Sequence, residues 1–161
     1  MRVLKIDLAK CDAGRHCHHE CETICAEKVF KLKDAAHAAL HIREQADGSA
    51  HTIICDQCGD CIDVCPSNAL TRNRLGIVLL NKKVCVGCFI CVGFCTKDAF
   101  EREPGWIEPL KCNSCGVCVK VCPHGALAIV DEPRRGNEID APVAAPAAAN
   151  AAAKAAVKAG V

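Results

Sequence analysis

The cysteines of this chain fall into four groups of four. The second group is Cys55, Cys58, Cys61 and Cys65, the third Cys85, Cys88, Cys91 and Cys95, and the fourth Cys112, Cys115, Cys118 and Cys122. All three have the spacing C-x2-C-x2-C-x3-C, and they lead into Ser67-Asn68-Ala69-Leu70, Lys97-Asp98-Ala99-Phe100 and His124-Gly125-Ala126-Leu127. This is an internal repeat of roughly 30 residues. The first group, Cys11, Cys17, Cys21 and Cys25, is looser, C-x5-C-x3-C-x3-C. Such a chain has little else to fold around. Of its 161 residues 4 are Phe, 1 is Trp, 1 is Met and none is Tyr. Much of its apolar content is Ala and Cys, too thin a core to offset the chain entropy of folding. A group bound to the cysteines must supply the remaining stability.

Charge and hydropathy exclude other classes. Twenty Lys+Arg against 19 Asp+Glu leave +1, and no basic stripe is interleaved with aromatic residues, so nucleic-acid binding is not expected. The stretch Met1 to Asp7 has no apolar export segment and no twin arginine. Leu75 to Leu80, the longest compact aliphatic run, is far short of a membrane span, and the Ala-rich tail is interrupted by Pro142, Pro146, Asn150, Lys154 and Lys158. A soluble, cytoplasmic protein is expected, and in that compartment clustered cysteines hold metal more often than disulfides.

Between the groups lie short strand candidates: Val3 to Leu8, Val29 to Lys33, Leu40 to Arg43, His51 to Ile54, Leu70 to Arg72, Gly76 to Leu80, Ala99 to Arg102, Trp106 to Pro109 and Ala126 to Val130. Ala46-Asp47-Gly48-Ser49 and Glu103-Pro104-Gly105 read as hairpin turns. Short helical turns are expected between the third and fourth cysteines of each group and just beyond them, with the folded chain ending near Val130. Residues 131–142 have linker composition. Residues 143–161 are an Ala-rich helical tail, expected either to dock or to fray.

Three thiolates in a C-x2-C-x2-C loop wrap one small object. A cubane [4Fe–4S] cluster fits, with three irons capped by the loop and the fourth by a remote cysteine. Gly59, Gly87 and Gly116 would let backbone N–H groups approach the inorganic sulfides. Zinc is the alternative, but its sites pair two C-x2-C knuckles separated by a longer stretch. Sixteen thiolates divide into four clusters with none left over. In the first group, the recurrence of Cys17, Cys21 and Cys25 also reads as one face of a buried helix, and His16, His18 or His19 could replace a thiolate. Full thiolate capping leaves no iron open to a substrate, and no phosphate-cradling loop or Ser/His/Asp arrangement is present, so the chain is expected to carry electrons without being an enzyme. An oxidised four-thiolate cubane carries roughly −2, so four would take the chain to near −7. Lys82, Lys83, Lys97, Lys111 and Lys120 lie beside the groups and read as solvated surface lysines; Trp106 reads as packing under a hairpin and His124 as a surface residue.

The repeats resemble bacterial-type ferredoxin motifs, and four groups in one chain are similar to the four-cluster ferredoxin-like (polyferredoxin) subunits that wire oxidoreductases, nearest the small iron–sulfur subunit of bacterial tungsten-dependent aldehyde oxidoreductases. The resemblance covers residues 1–130. It implies an α+β fold of two nested 2[4Fe–4S] modules, an outer one of 1–36 with 99–130 and an inner one of 37–98. It implies four [4Fe–4S] clusters: Cys11, Cys17, Cys21 and Cys122; Cys25, Cys112, Cys115 and Cys118; Cys55, Cys58, Cys61 and Cys95; Cys65, Cys85, Cys88 and Cys91. Thr96 stands where the pattern has proline. The implied function is single-electron transfer between a tungsten or molybdenum catalytic subunit and a further redox subunit such as a flavoprotein. Self-association of the tail into an open string is a further expectation. A stand-alone polyferredoxin and a zinc-stapled interaction module are the competing readings.

Overall fold

Every cysteine group carries a short helix; the first three run into a pair of short antiparallel strands and the fourth into a single strand that pairs with the first of the chain. The computed structural model describes residues 1–133. In chain order the elements are β1 (Arg2–Ile6), α1 (Glu20–Ile24) continued by a π-helical turn (Cys25–Phe30), a 3-10 turn (Ala35–His37), β2 (Leu40–Glu44), β3 (Ala50–Ile54), α2 (Asp60–Asp63), β4 (Leu70–Arg72), β5 (Val78–Leu80), α3 (Ile90–Gly93), β6 (Phe100–Glu101), β7 (Leu110–Lys111), α4 (Val117–Val121) and β8 (Leu127–Asp131). The mixture of short helices and strand pairs is of the α+β kind.

Four two-stranded sheets form among the described residues: β1 with β8, β2 with β3, β4 with β5, and β6 with β7. The last strand returns to the first, with Val3 opposite Val130 and Leu4 opposite Ile129. This closure lays α4 against α1, while α2 lies against α3. The first cysteine group therefore meets the fourth, and the second meets the third.

The repeat sets the packing. Ala69, Ala99 and Ala126 are buried, and each precedes a buried Leu70, Phe100 or Leu127 that opens a strand. Ala39-Leu40 plays the same part after the first group, so that group is a fourth copy with a longer connection. Leu4, Leu40, Ile42 and Leu127 build one core around Cys21, Cys25, Cys55, Cys112 and Cys118. Leu70, Val78 and Phe100 build a second around Cys91. The thiols are part of both cores, as a chain short of large apolar residues requires.

Two expected strands are absent. Val29 to Lys33 is not extended: Val29 and Phe30 lie on the π-helical turn, closed at Lys31 by its N–H donating to the Ala26 carbonyl. Their apolar side chains follow Cys21 and Cys25 at helical spacing and pack on the same core. Trp106 to Pro109 is loop, and the strand partner of Phe100-Glu101 is Leu110-Lys111. Leu110 is buried whereas Ile107 is exposed, so burial selected the later pair. The predicted hairpin at Ala46 to Ser49 forms, with Glu44 opposite Ala50. The predicted tail of 143–161, and the linker beyond Pro133, lie outside the described residues.

Candidate metal centres

The C-x2-C-x2-C loops share one backbone pattern. The second residue of the first x2 pair has positive φ in all three: Gln57, Gly87 and Ser114. So does the residue just after the second cysteine, Gly59, Phe89 or Gly116, which caps the helix that carries Cys61, Cys91 or Cys118. Left-handed positions alternating with right-handed ones are the backbone pattern that turns successive N–H groups to one side in anion-attracting cradles. The glycines are thus not equivalent. Gly87 matches Gln57 and Ser114, while Phe89 takes the place of Gly59 and Gly116 despite a Cβ that disfavours φ 56. A Cβ on Gly87 would come within 2.8 Å of the Ile107 carbonyl oxygen, so close packing also demands glycine there. In the first group His19 holds the corresponding left-handed cap, two residues before Cys21.

The fourth cysteine of each group accepts a backbone hydrogen bond to sulfur. Ala69 N–H donates to Cys65 Sγ at 3.3 Å, and Ala99 and Ala126 donate to Cys95 and Cys122 at 3.4 Å. Ala39 does the same for Cys25 at 3.4 Å.

The sixteen thiols gather in sets that cross between groups. Cys25, Cys112, Cys115 and Cys118 line one cavity with Leu4, Val29 and Leu40. Cys11, Cys17, Cys21 and Cys122 line a second, and Cys55, Cys58, Cys61 and Cys95 a third. Cys91 lies within electrostatic reach of Cys65, Cys85 and Cys88. Burial, then crowding by neighbouring sulfurs, pushes the Cys118 thiol up to about 12 and Cys91 up to about 11. Burial likewise lifts Cys21 to about 12 and Cys25 to about 11. Cys65 is the exception: burial raises it, but the Ser67 hydroxyl and the N–H groups of Ala69, Leu70 and Ser67 outweigh burial and hold it below the ordinary thiol value. Four soft sulfurs that resist ionising one by one are a donor set suited to a cationic iron–sulfide core, which lets them ionise together.

Neighbouring sets lie within electrostatic reach of one another. The environment of Cys21 includes Cys118, that of Cys112 includes Cys55, and that of Cys61 includes Cys91. Most of the sixteen are shielded, whereas Cys88 and Cys115 are exposed. Around Cys88 the side chains of Val86, Ile90 and Phe94 are exposed too.

Several polar residues at these sites gave no signal in the sequence. Glu22 is buried beside Cys21, accepting from the Ile42 N–H at 2.8 Å, from Arg43 at 3.2 Å and facing His41 and His19. Gln57 is buried, donating to the Cys112 carbonyl at 2.9 Å and accepting from the Val78 N–H at 2.9 Å. Lys111, expected on the surface, is buried against the chain. His124 is exposed, as expected, yet lies 3.3 Å from Asp12 Oδ2 and lines the cavity of Cys11, Cys17, Cys21 and Cys122. Asp12, Cys17 and His124 present ligand atoms within 4.8 Å of one another. Of the other histidines named above, His16 bonds to Asp12 and His19 to Glu22. Trp106 carries the Lys82 ammonium over its ring at 4.5 Å.

Residues 47–96 match the 4Fe-4S dicluster domain, and residues 106–128 match the 4Fe-4S binding domain. The chain is 32% identical, over 85% of its length, to the NADH-dependent phenylglyoxylate dehydrogenase subunit beta of Aromatoleum evansii, of which it spans 32%. It is 34% identical, over 47% of its length, to the thiosulfate reductase electron transfer subunit PhsB of Salmonella typhi, of which it spans 45%. Among solved structures it is similar to a component of the active site complex BamBC of benzoyl coenzyme A reductase, with 22% identity, 90% of this protein and 83% of that component covered, and a TM-score of 0.46. No helix among the described residues is long and apolar enough to cross a membrane. Residues 47–96 and 106–128 are thus ferredoxin-like 4Fe–4S binding domains.

Proposed function

We propose that this chain is the electron-transfer subunit of an oxidoreductase complex, holding four [4Fe–4S] clusters in a row. The ligands would be Cys11, Cys17, Cys21 and Cys122; Cys25, Cys112, Cys115 and Cys118; Cys55, Cys58, Cys61 and Cys95; and Cys65, Cys85, Cys88 and Cys91. A [4Fe–4S] cluster supplies a site that takes up and returns one electron. The observation that carries the reading is the gathering of thiols from different groups around shared cavities, with Cys21 in electrostatic reach of Cys118, Cys112 of Cys55 and Cys61 of Cys91. In such a row the chain's residues hold the centres apart at fixed spacing and shield them from water. The pairing of β1 with β8, and of α1 with α4 around α2 with α3, supports two nested modules, an outer one of 1–36 with 99–130 and an inner one of 37–98.

With four thiols to every cluster, no iron position remains for a substrate, so catalysis belongs to a partner. A tungsten- or molybdenum-dependent subunit is proposed as that partner, with a flavoprotein as the second contact and the cytoplasm as the setting. The names of the relatives, subunit beta of a dehydrogenase and electron transfer subunit of a thiosulfate reductase, support a subunit role. The exposed apolar rim of Val86, Ile90 and Phe94 around Cys88 supports one end of the row as a docking end. Residues 143–161 would join copies into an open string.

Anaerobic purification with the neighbouring proteins retained tests the reading. The expected result is a brown assembly with about sixteen irons and matching acid-labile sulfide per copy of this chain, together with a large cofactor-bearing subunit. A colourless zinc protein would overturn it. A brown protein that retains no partner would establish the stand-alone polyferredoxin instead. Deletion of residues 141–161 with no change in assembly size would remove the string.

A further inference from the structure

Lys111 precedes Cys112 and ends the short strand β7. It is only 7% exposed, an unusual place for an ammonium. Its Nζ donates to the Val78 carbonyl at 2.7 Å, to the Cys112 carbonyl at 2.9 Å and to Gln57 Oε1 at 3.4 Å. Among the described residues no carboxylate pairs with it. Three neutral acceptors satisfy the hydrogens of a buried ammonium and leave its charge uncompensated, and an uncompensated buried charge is costly.

The surroundings indicate what balances it. The three acceptors come from the second cysteine loop, from β5 and from the fourth cysteine loop, so the ammonium sits where the inner and outer pairs of groups meet. Gln57, 0% exposed, fastens this junction: its side-chain amide reaches Cys112 and Ser114 on one side while its oxygen takes the Val78 N–H on the other. The Lys111 ammonium lies within electrostatic reach of both the Cys61 and the Cys112 sulfur. Cys61 lines one cavity and Cys112 the other.

We propose that Lys111 is a fixed counter-charge shared by the two middle cluster sites, that of Cys55, Cys58, Cys61 and Cys95 and that of Cys25, Cys112, Cys115 and Cys118, and that Gln57 holds it at their junction. This rests on the four-cluster reading. One electron leaves one site and enters the other, with no bond made or broken and no proton moved. A positive charge in a site of low dielectric favours the more negative, reduced state of whatever it faces. Sharing it between two neighbours raises both potentials together, so the step across the module boundary stays nearly level while both centres remain easy to reduce. Lys111 thereby positions charge for electron passage and ligates nothing itself.

Redox titration of the full chain in its native assembly, followed by low-temperature electron paramagnetic resonance with iron analysis of each sample, tests this. In Lys111→Met, two of the four one-electron components should become harder to reduce by about tenfold or more, ~59 mV per decade for one electron, while the other two stay. Lys111→Arg should keep all four potentials. Gln57→Glu, which keeps the ammonium and cancels its charge, should lower the same two components, and it carries the test should Lys111→Met fail to assemble. Full iron content with no component moved, or with all four moved equally, would overturn the proposal. Loss of clusters in both Lys111→Met and Gln57→Glu would also overturn it, because the residue would then serve assembly instead of tuning. A wild-type chain with fewer irons than four clusters need would sink the four-cluster reading itself, a separate result.

Discussion

The backbone N–H of Ala39 donates to Cys25 Sγ at 3.4 Å across a separation of 14 residues, the same contact that Ala69, Ala99 and Ala126 make to cysteines 4 residues before them. The irregular first group is thus bound to its strand as the regular groups are, with the π-helical turn and the 3-10 turn filling the longer connection. Ala39 is buried in the core just before β2. Ala39→Leu should cost about 1–3 kcal/mol by overpacking, whereas Ala46→Leu in the exposed hairpin turn should be close to neutral. Chemical denaturation under anaerobic conditions, read with iron retention, compares the two.

Cross-group pairing of thiols predicts a pattern of iron loss. Cys61 and Cys95 line one cavity although they belong to different groups, while Cys65, from the same group as Cys61, lies near Cys91. The double variant Cys61→Ala/Cys95→Ala should lose no more iron than either single variant, about four atoms for one cluster. Cys61→Ala/Cys65→Ala should lose about twice that. Iron and sulfide analysis of the purified variants decides it.

Glu22 is a buried acceptor for the Ile42 N–H and Arg43, with His41 at 3.4 Å. Glu22→Leu leaves a buried N–H unpaired and should cost about 1–3 kcal/mol. Arg43→Ala removes a partner whose side chain is largely in water and should cost less, about 0.2–1 kcal/mol. Equilibrium unfolding of the two variants side by side gives the order.

The Lys82 ammonium beside Glu108, at 2.9 Å, holds that carboxyl below the usual glutamate value. A carboxyl whose folded pKa lies below its unfolded value stabilises the fold above the unfolded pKa and loses that contribution as pH falls through the folded one. The stability difference between the wild type and Glu108→Gln should therefore be full at pH 6 and shrink below the ordinary glutamate range. Trp106→Ala should remove about 0.5–1 kcal/mol of cation–π attraction to Lys82 and leave the pH profile in place. Thermal unfolding of the three proteins across that range measures both.

Much of the fold was legible because the repeat writes it down. The spacing of the cysteines, the Ala-Leu and Ala-Phe pairs behind them and the Gly48 turn announce the α2, α3 and α4 turns and the strands β2 to β6 in nearly their observed places. Local signals failed where burial chose between nearby options. Val29-Phe30 has strand composition but shares a helical face with Cys21 and Cys25, and Leu110 displaced Ile107 as the strand residue because it reaches the core. Lys111 and Gln57 failed differently: nothing in a lysine before a cysteine, or a glutamine between two, separates a solvated residue from one locked between two loops 55 residues apart.

The sequence by itself determined the chemistry, since a C-x2-C-x2-C loop can close around a small metal core wherever it is placed, and it determined the unit that repeats. Only the tertiary structure decided which loops share a cavity, which thiols of one set come near the next, and where a buried ammonium sits between them. Those relations depend on β8 returning to β1 and on side chains meeting across long stretches of sequence, and local spacing carries no record of such encounters.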